Sequence, residues 1–166
     1  MLLKQERARA MYKHILLPTD GSALAREAVQ SGILFAKNIG AEVLGLYVIP
    51  EPRAEQLDAW LHHDPLFPKH RKMMFDKFAD EALSFVANSA LAEEVPCLYR
   101  KVQGAEPWIA ILKVAEQSHC DLIYMASHGW KGGIGDHVGS QTLKILHHSP
   151  IPVLVHKPRK AATAPA

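Results

Sequence analysis

The stretch HILLPTDGS, residues 14–22, decides the fold of this chain. Its apolar part, Ile15 to Pro18, has the composition of a buried strand, and the polar residues that follow are typical of a turn before a helix. Ser22 is the predicted N-cap of that helix, and Gly40 is its predicted left-handed C-cap. The stretch therefore predicts a strand, a loop and a helix, the repeating unit of α/β folds.

The same unit recurs along the rest of the chain. Strands are predicted at Glu42–Ile49, Cys97–Val102, Asp121–Ala126 and Val153–Val155. Helices are predicted from about Lys69 to Leu91, with Met74, Phe78, Ala82 and Phe85 as the apolar stripe, from Pro107 onward, and from Ser140 to His148. The proline-rich segment Pro50–Pro68 between them is predicted to be a loop. The alternation predicts an α/β fold with a doubly wound, five-stranded parallel sheet and helices on both faces.

Length and composition indicate one ordinary globular domain. The chain has 166 residues, 48% of them hydrophobic, and a net charge of +2, too small to favour a nucleic-acid partner. We expect a polar tail at residues 1–10, a domain at 11–157 and a disordered tail at 158–166. No apolar run approaches the roughly 20 residues of a membrane span, and no secretory signal is apparent, so we expect a cytoplasmic protein without a membrane partner.

Cysteine and histidine patterns do not predict a metal site. Cys97 and Cys120 belong to no C-x-x-C pair, and we expect two unpaired thiols. His62-His63 and His147-His148 are adjacent pairs, and adjacent residues on a helix do not share a face. The sequence therefore predicts no structural metal.

Two loops that leave the carboxyl ends of predicted strands carry the candidate chemistry. The first is Pro18–Ser22, after strand one, and the second is Ala126–Gly129, after strand four, which continues nine residues later with Gly139-Ser140. In open α/β sheets, ligands bind at this edge, where the strand order reverses. If both loops serve one ligand, strands one and four must be neighbours, and the strand order is 3-2-1-4-5.

The second loop has features of a phosphate site. Gly129 and Gly139 can take positive φ and let the backbone approach an anion closely. Ser140 stands at the start of a helix, where free N–H groups attract anions, and its hydroxyl can either cap the helix or donate to a phosphate. The spacing matches neither a P-loop nor a G-x-G-x-x-G motif. A tight loop at the start of a helix, with no ligand, remains an equally open interpretation.

The segments ILLPTDGS and ASHGW…VGSQTLKILHHSPIPVLV resemble the universal stress protein family, and the similarity extends from about Tyr12 to Lys157. Nucleotide-binding members of that family carry the motif G-x2-G-x9-G-[ST]. This chain has Gly129-x9-Gly139-Ser140 in full, but Ala126 replaces the first glycine. The resemblance implies an adenine nucleotide α-hydrolase-like fold that binds ATP.

The resemblance also implies a role for each residue of the site. Asp20 would contact the ribose or, through Mg²⁺, a phosphate oxygen, which makes it the single weak metal partner. The backbone of Val48 would bind the adenine edge. The remaining residues would line the base pocket (Pro18, Thr19), border the ribose (Met125, Ala126) or surround the phosphates (His128, Gly129, Gly139, Ser140, Gln141).

Three functions are compatible with these residues: a nucleotide-binding regulatory protein of the stress response, a slow ATPase, and a nucleotide-free dimeric scaffold of the same family. No Ser/His/Asp set or carboxylate pair indicates another hydrolytic chemistry, so no catalytic residue is assigned. The short, apolar last strand, residues 152–156, would lie at the edge of the sheet. We expect a homodimer joined along it, with Val153 and Val155 buried between the copies.

Overall fold

The computed structural model describes residues 11–52, 54, 57, 66–129 and 138–158. The predictions for residues 1–10, for His62-His63 and for the tail beyond Pro158 lie outside the described residues. Within them, strands and helices alternate as follows: β1 His14–Pro18, α1 Ala23–Ile39, β2 Glu42–Pro50, α2 Phe67–Ala92, β3 Cys97–Gly104, α3 Pro107–Gln117, β4 Leu122–Ala126, α4 Ser140–His148 and β5 Val153–His156. The five strands form one parallel sheet in the order β3-β2-β1-β4-β5, which confirms the predicted fold.

The predicted boundaries of α1 are confirmed. The Ser22 hydroxyl accepts a hydrogen bond from Ala25 N, and Gly40 ends the helix with a left-handed φ of 71°. Both residue types are the preferred ones at these positions, because serine satisfies a free N–H group and glycine has no Cβ to clash. The buried face of α1 packs against the sheet through mostly small residues, such as Ala25, Ala28 and Gly32.

The apolar stripe predicted for α2 is wrong in part. Met74 and Phe78 are 47% and 45% exposed. The side chains of α2 that are buried begin one turn further along and are mostly small: Ala79, Ala82, Leu83, Val86 and Ala90. Phe75, three residues before Phe78, already packs against the core cluster that contains Ala79 and Ala82. Met74 and Phe78 are exposed because the buried face of α2 is rotated by about one position from the predicted stripe.

The helices form a layer on each face of the sheet. Ile15 and Leu17 of β1 join a core cluster with residues of α1 and α2. Leu16, between them, joins a cluster with residues of α3 and α4, such as Ile111 and Ile145. This alternation follows from the strand period of two and explains why β1 is apolar at every position from 15 to 17. The predicted edge position of the last strand is also confirmed, since β5 lies at one end of the sheet order.

A gap opens between β1 and β4 at their carboxyl ends. β1 pairs with β2 at five positions, from His14 to Pro18. It pairs with β4 at only two positions, Ile15 and Leu16. Beyond that point β4 continues beside β5, as far as Ala126. The two central strands therefore separate at the edge where the two candidate loops begin.

Both cysteines are free thiols, as predicted, and Cys97 is half-buried while Cys120 is buried. Burial raises the pKa of the Cys97 thiol, and burial together with the nearby charge of Asp121 raises that of Cys120 to about 11. Since the thiolate is the reactive form, both side chains are unreactive at neutral pH.

The packing of α1 on the sheet predicts the effect of replacing Gly32 with alanine. In the interior of a helix this change normally stabilises by about 1 kcal/mol. Here the new Cβ would lie 2.7 Å from Leu17 Cδ2 and 3.1 Å from Tyr124 Cδ1. We expect Gly32→Ala to lower the free energy of unfolding by roughly 1–3 kcal/mol, the cost of overpacking, in urea denaturation. The exposed control Gln30→Ala should change it by less than about 0.5 kcal/mol; a more stable Gly32→Ala protein would contradict this packing.

Candidate functional site

The two candidate loops lie against each other across the gap between β1 and β4. The carboxylate of Asp20 packs on the Cα of Gly129, so closely that a Cβ on Gly129 would overlap Asp20 Oδ2 and lie 3.1 Å from its Cγ. The predicted juxtaposition of the loops after strands one and four is thus present. It follows from the strand order, because β1 and β4 are neighbours.

The first loop is held in shape by its own side chains. Thr19 N donates to Leu46 O at 2.9 Å, which ties the loop to β2. Gly21 N donates to Thr19 Oγ1 at 3.1 Å, and Ser22 N donates to Asp20 Oδ1 at 3.0 Å. Gly21 takes a φ of 80°, a left-handed conformation that favours glycine. These bonds orient the Asp20 side chain before any ligand is present.

The second loop is held by the ends of β4 and β5. Ser127 N donates to His156 O at 2.8 Å, and Gly139 N donates to Ser127 O at 2.7 Å. The buried Thr142 hydroxyl donates to Ala126 O at 3.2 Å. The first turn of α4 is thereby attached directly to the carboxyl end of β4.

The predicted reason for the two glycines of this loop is wrong. Gly139 has a φ of −64°, and among the described glycines only Gly21 and Gly40 have positive φ. What both positions require is close approach. A Cβ on Gly139 would lie 3.2 Å from both Cα and Cβ of His128, and one on Gly129 would displace the Asp20 carboxylate.

Ala126, which replaces the first glycine of the motif, lies inside β4. Its register partner is His156 on β5, and it is not among the described residues with positive φ. Its side chain is 7% exposed and belongs to the core cluster on the α1 side of the sheet. The alanine therefore carries no backbone strain. Met125, its neighbour, is also 7% exposed and packs on the opposite face.

The start of α4 offers hydrogen-bond donors. Gly139, not Ser140, is the N-cap, and it makes no side-chain cap. Ser140 is exposed, and its hydroxyl has no hydrogen-bond partner within the described residues. The first N–H groups of a helix have no intrahelical acceptor. The alternative that Ser140 is the N-cap of α4 is thus wrong.

Gln141, predicted beside the phosphates, makes a contact that the sequence did not indicate. Its Oε1 accepts a hydrogen bond from Trp108 N, in the first turn of α3, at 3.1 Å. His128 also has a local partner, since its Nδ1 lies 3.2 Å from the hydroxyl of the buried Ser127. Both residues lie beside the start of α4.

The edge of β2 facing β1 is open beyond Leu46. Glu42 N bonds Lys13 O and Thr19 N bonds Leu46 O, so the peptide groups of even-numbered residues in β2 point toward β1. Val48 is also an even-numbered residue, so its N–H and C=O point toward β1 as well. However, β1 ends at Pro18, whose partner in β2 is Leu46, and does not extend as far as Val48. Within the described residues nothing bonds the Val48 N–H and C=O on that side. They face the gap above Thr19, where the base was predicted.

Sequence reasoning named Thr19 and Ser22 but missed Ser127 and Thr142. These four are the buried serine and threonine side chains of the described chain, and they lie in the two loops or in the first turn of α4. Each has a hydrogen-bond partner in its own loop or in an adjoining strand or helix. Thr142 could have been recognised from its position three residues before Ile145 on the buried face of a short helix.

Electrostatic coupling supports the position of Asp20 beside β2. Burial and, secondarily, the negative charge of Asp20 raise the pKa of the Tyr47 phenol.

Among the described residues, no three His, Cys, Asp or Glu side chains come together as a metal-binding group. None of the described helices has the length and apolar composition that would let it cross a membrane.

The sequence profile of the universal stress protein family matches residues 11–157. The chain belongs to this family. Universal stress protein MJ0531 of Methanocaldococcus jannaschii is 31% identical over 154 residues, which cover 90% of this chain and 85% of that protein. A universal stress protein of Thermus aquaticus is 31% identical over 146 residues, covering 87% of this chain and 98% of the relative.

Solved structures show the same architecture. The structure of MJ0577 superposes with a TM-score of 0.70 at 28% identity, covering 91% of this chain and 99% of the other. Two more distant universal stress proteins were solved as nucleotide complexes. One is bound to cAMP (TM-score 0.58, 20% identity, 88% and 97% covered), and the other, from Archaeoglobus fulgidus, is bound to dAMP (0.58, 15%, 87% and 98%). At these identities the two complexes share the fold with this universal stress protein.

The contact between Asp20 and Gly129 predicts a non-additive pair of mutations. Gly129→Ala should destabilise the protein by displacing the Asp20 carboxylate. Asp20→Ala should destabilise it by removing the acceptor of Ser22 N. In the double variant the alanine at 129 meets no carboxylate, so we expect a coupling of roughly 0.5–3 kcal/mol in the free energy of unfolding. Additive effects in urea denaturation would show that the two loops do not touch.

Proposed function

We propose that this universal stress protein binds an adenine nucleotide, ATP before any other, in the crevice between the carboxyl ends of β1 and β4. It acts there as a cytoplasmic regulatory protein of the stress response. The observation that carries the proposal is the open backbone edge at Val48, because it stands in the same crevice as the donor-rich start of α4.

The Val48 edge supports the base end of the proposal. A backbone N–H and C=O of one residue present a donor beside an acceptor, and the N1 and N6 groups of adenine present the complementary pair. In this pose the base lies over Thr19, with Pro18 below it and the Asp20 carboxylate near the ribose. The loop that places these residues is already held by its internal hydrogen bonds.

The start of α4 supports the phosphate end. Its free N–H groups and helix dipole favour an anion, and the exposed Ser140 hydroxyl adds a side-chain donor. β2 and β4 are two strand spacings apart, about 10 Å, a distance that a mononucleotide spans from its base to its phosphates. Met125 and Ala126 then border the ribose, and His128, Gly129 and Gly139 surround the phosphates.

The two nucleotide complexes of distant relatives support the adenine class, since cAMP and dAMP share that base. The preference for ATP rests on the glycine motif. Magnesium, if it accompanies the nucleotide, would meet the single carboxylate of Asp20, and one carboxylate holds it weakly.

The residues of this site fit a regulatory role better than they fit fast catalysis. Rapid phosphoryl transfer needs cations that stabilise the γ-phosphate and a group that positions water. The donors described here are backbone N–H groups and hydroxyls, which bind the ground state as well as the transition state. We therefore propose a nucleotide-dependent regulator and, at most, a slow ATPase.

Two variants separate the ends of the nucleotide. Val48→Pro removes one N–H of the open edge without removing a hydrogen bond to β3, and should weaken both ATP and adenosine binding. Ser140→Ala should weaken ATP alone, by roughly 1–2 kcal/mol, the scale of a hydrogen bond to a charged group. Calorimetry measures both affinities.

The matched controls are Val48→Ala, which keeps the backbone N–H, and Ser84→Ala, which removes an exposed hydroxyl on α2. Both controls should bind ATP like the wild type. A wild-type protein that binds neither ATP nor another adenine nucleotide would refute the proposal and favour a nucleotide-free scaffold.

We further propose that the protein is a homodimer joined along β5. Ile123 N bonds Pro152 O and Ser127 N bonds His156 O, so even-numbered residues of β5 face β4. The peptide groups of Val153 and Val155 therefore face outward, and within the described residues they have no partner. Such an edge pairs readily with another chain, and two antiparallel copies satisfy a twofold axis.

The surface of α4 supports the same interface. Leu143 and Leu146 are 53% and 45% exposed. The side of α4 that contacts α3 carries Gln141, Lys144 and His148. Leu143 and Leu146 lie on the opposite side of the helix. Because α3 contacts β2 and β3, toward the other end of the sheet, the side of α4 turned away from α3 faces the free edge of β5. A second copy paired along β5 would cover this apolar strip.

A proline at position 155 tests the dimer, because the N–H of Val155 points away from β4. Val155→Pro removes an outward N–H, leaves the bonds to β4 intact and should convert the dimer to a folded monomer. Val155→Ala keeps the N–H and should remain dimeric. Light scattering at about 10–50 μM distinguishes the two states, in the range where a standard-sized interface is occupied. A monomeric wild type at this concentration would exclude the interface.

A further inference from the structure

Exposed apolar side chains are concentrated near the start of α2. Met73, Met74 and Phe78 are all exposed, Met73 by 62%. They are three of the twelve large hydrophobic residues exposed in the described chain, yet they fall within six positions. Single exposed hydrophobic residues are common on soluble proteins, whereas neighbouring ones mark a surface that binds a partner. This part of α2 is therefore a candidate interaction surface.

Helical spacing places these side chains together with two lysines. Residues four positions apart on a helix are neighbours on its surface. Lys69, Met73 and Lys77 form one row along the exposed side of α2, and Met74 and Phe78 form the adjacent row. All five side chains are exposed to solvent. We call this surface the Met73 face.

The apolar side chains of the Met73 face are supported from beneath. Phe78 meets Phe75 edge to face, with the ring centroids 6.3 Å apart. Phe75 in turn packs against the core cluster that contains Ala79. Its ring also lies 4.6 Å from Cζ of Arg71, whose guanidinium donates to Pro50 O at 2.6 Å. The exposure of Phe78 is therefore a feature of the packed helix.

Positive charge is concentrated in the same segment. Residues 69–78 contain four lysine and arginine side chains and one carboxylate, a net charge of +3, whereas the whole chain carries +2. The carboxylate, Asp76, lies 3.1 Å from Nζ of Lys101 on β3, and this contact lowers its pKa. Lys101 also binds Asp80, at 3.0 Å. The two acidic side chains nearest the face are thus turned toward the edge of the sheet, and the lysines give the apolar surface a positive potential.

The Met73 face is available to a partner. Lys69 has no ion pair within the described residues, and Lys77 has only an exposed one, 3.9 Å from Glu81. Water screens such a pair, so it contributes little. The face also stays uncovered in the proposed dimer, because α2 packs on β2 and β3 and the dimer joins at β5, the opposite end of the sheet.

We propose that the Met73 face binds the surface of an anionic lipid bilayer. Methionine and phenylalanine side chains enter the boundary between headgroups and acyl chains, and the lysines reach anionic headgroups, as in amphipathic helices that lie on membranes. The exposed side of a helix is convex, which suits a deformable lipid surface, whereas a protein partner must offer a groove of matching shape. The contact is peripheral and is compatible with the finding that no described helix crosses a membrane. The sequence-based expectation of no membrane partner considered only spanning segments.

Flotation of the full chain with lipid vesicles tests the proposal. The wild type should bind vesicles of phosphatidylcholine mixed with phosphatidylglycerol and not vesicles of phosphatidylcholine alone, and high salt should weaken the binding by screening the lysines. Lys69→Gln combined with Lys77→Gln should lower the partition coefficient by roughly tenfold or more, since each lysine near an anionic surface contributes about fivefold. Met73→Ser combined with Met74→Ser should lower it by about tenfold, through the loss of apolar surface.

The matched control is Ile109→Ser combined with Lys113→Gln, an exposed hydrophobic residue and an exposed lysine four positions apart on α3. It should bind anionic vesicles like the wild type. A wild type that does not bind them at low salt would overturn the proposal, as would Met73-face variants that bind them normally. Neither result bears on the nucleotide site or the dimer, which are measured separately.

Three further results would assign the Met73 face to another occupant and also overturn the proposal. A fall in the urea midpoint of the methionine variant would show that the chain itself covers the face. An oligomer larger than a dimer that this variant dissociates, by light scattering, would show that a second copy covers it. Binding of polyglutamate but not of anionic vesicles would indicate an acidic protein.

Discussion

β1 and β4 are hydrogen-bonded neighbours only near their amino ends, and the crevice depends on this limited pairing. Each strand follows its outer neighbour toward the carboxyl edge, β1 beside β2 and β4 beside β5. The loops that leave the two strands must then bridge the gap themselves. They do so by direct contact of Asp20 with Gly129. If β1 and β4 remained paired to their ends, ladder hydrogen bonds would occupy the space between these loops.

The crevice is shaped before a ligand arrives. Burying a hydroxyl without a partner costs free energy, and the four buried serine and threonine hydroxyls of the described chain all have partners in the two loops or in the adjoining strand and helix. Those bonds fix the described residues of the loops, so that binding does not have to order them. The groups left without partners among the described residues, at Val48 and at Ser140, are therefore exposed by the architecture of the site.

The sequence predicted the features that depend on local chemistry or on strand order. Ser22 is a cap because of its hydroxyl and Gly40 because it has no Cβ, and the order 3-2-1-4-5 follows once the two loops are required to meet. It did not predict which face of α2 is buried, since Ala79 packs in the core while Phe78, one position away, is exposed. It also did not predict the bond from Gln141 to Trp108, because that bond depends on the packing of two helices and has no periodic signature in the chain.

The three positions of the glycine motif have different physical requirements, which explains why one of them can change. At position 129 a Cβ would meet a carboxylate that is held by Ser22 N, and at position 139 it would meet the backbone of His128. At position 126 the chain is still in β4, in extended conformation, and the alanine methyl group is part of the apolar core beneath α1. A side chain there is directed into a layer that already consists of small residues. The departure from the motif falls at the position where the fold accommodates a methyl group, and the two positions that set the contact between the loops remain glycine.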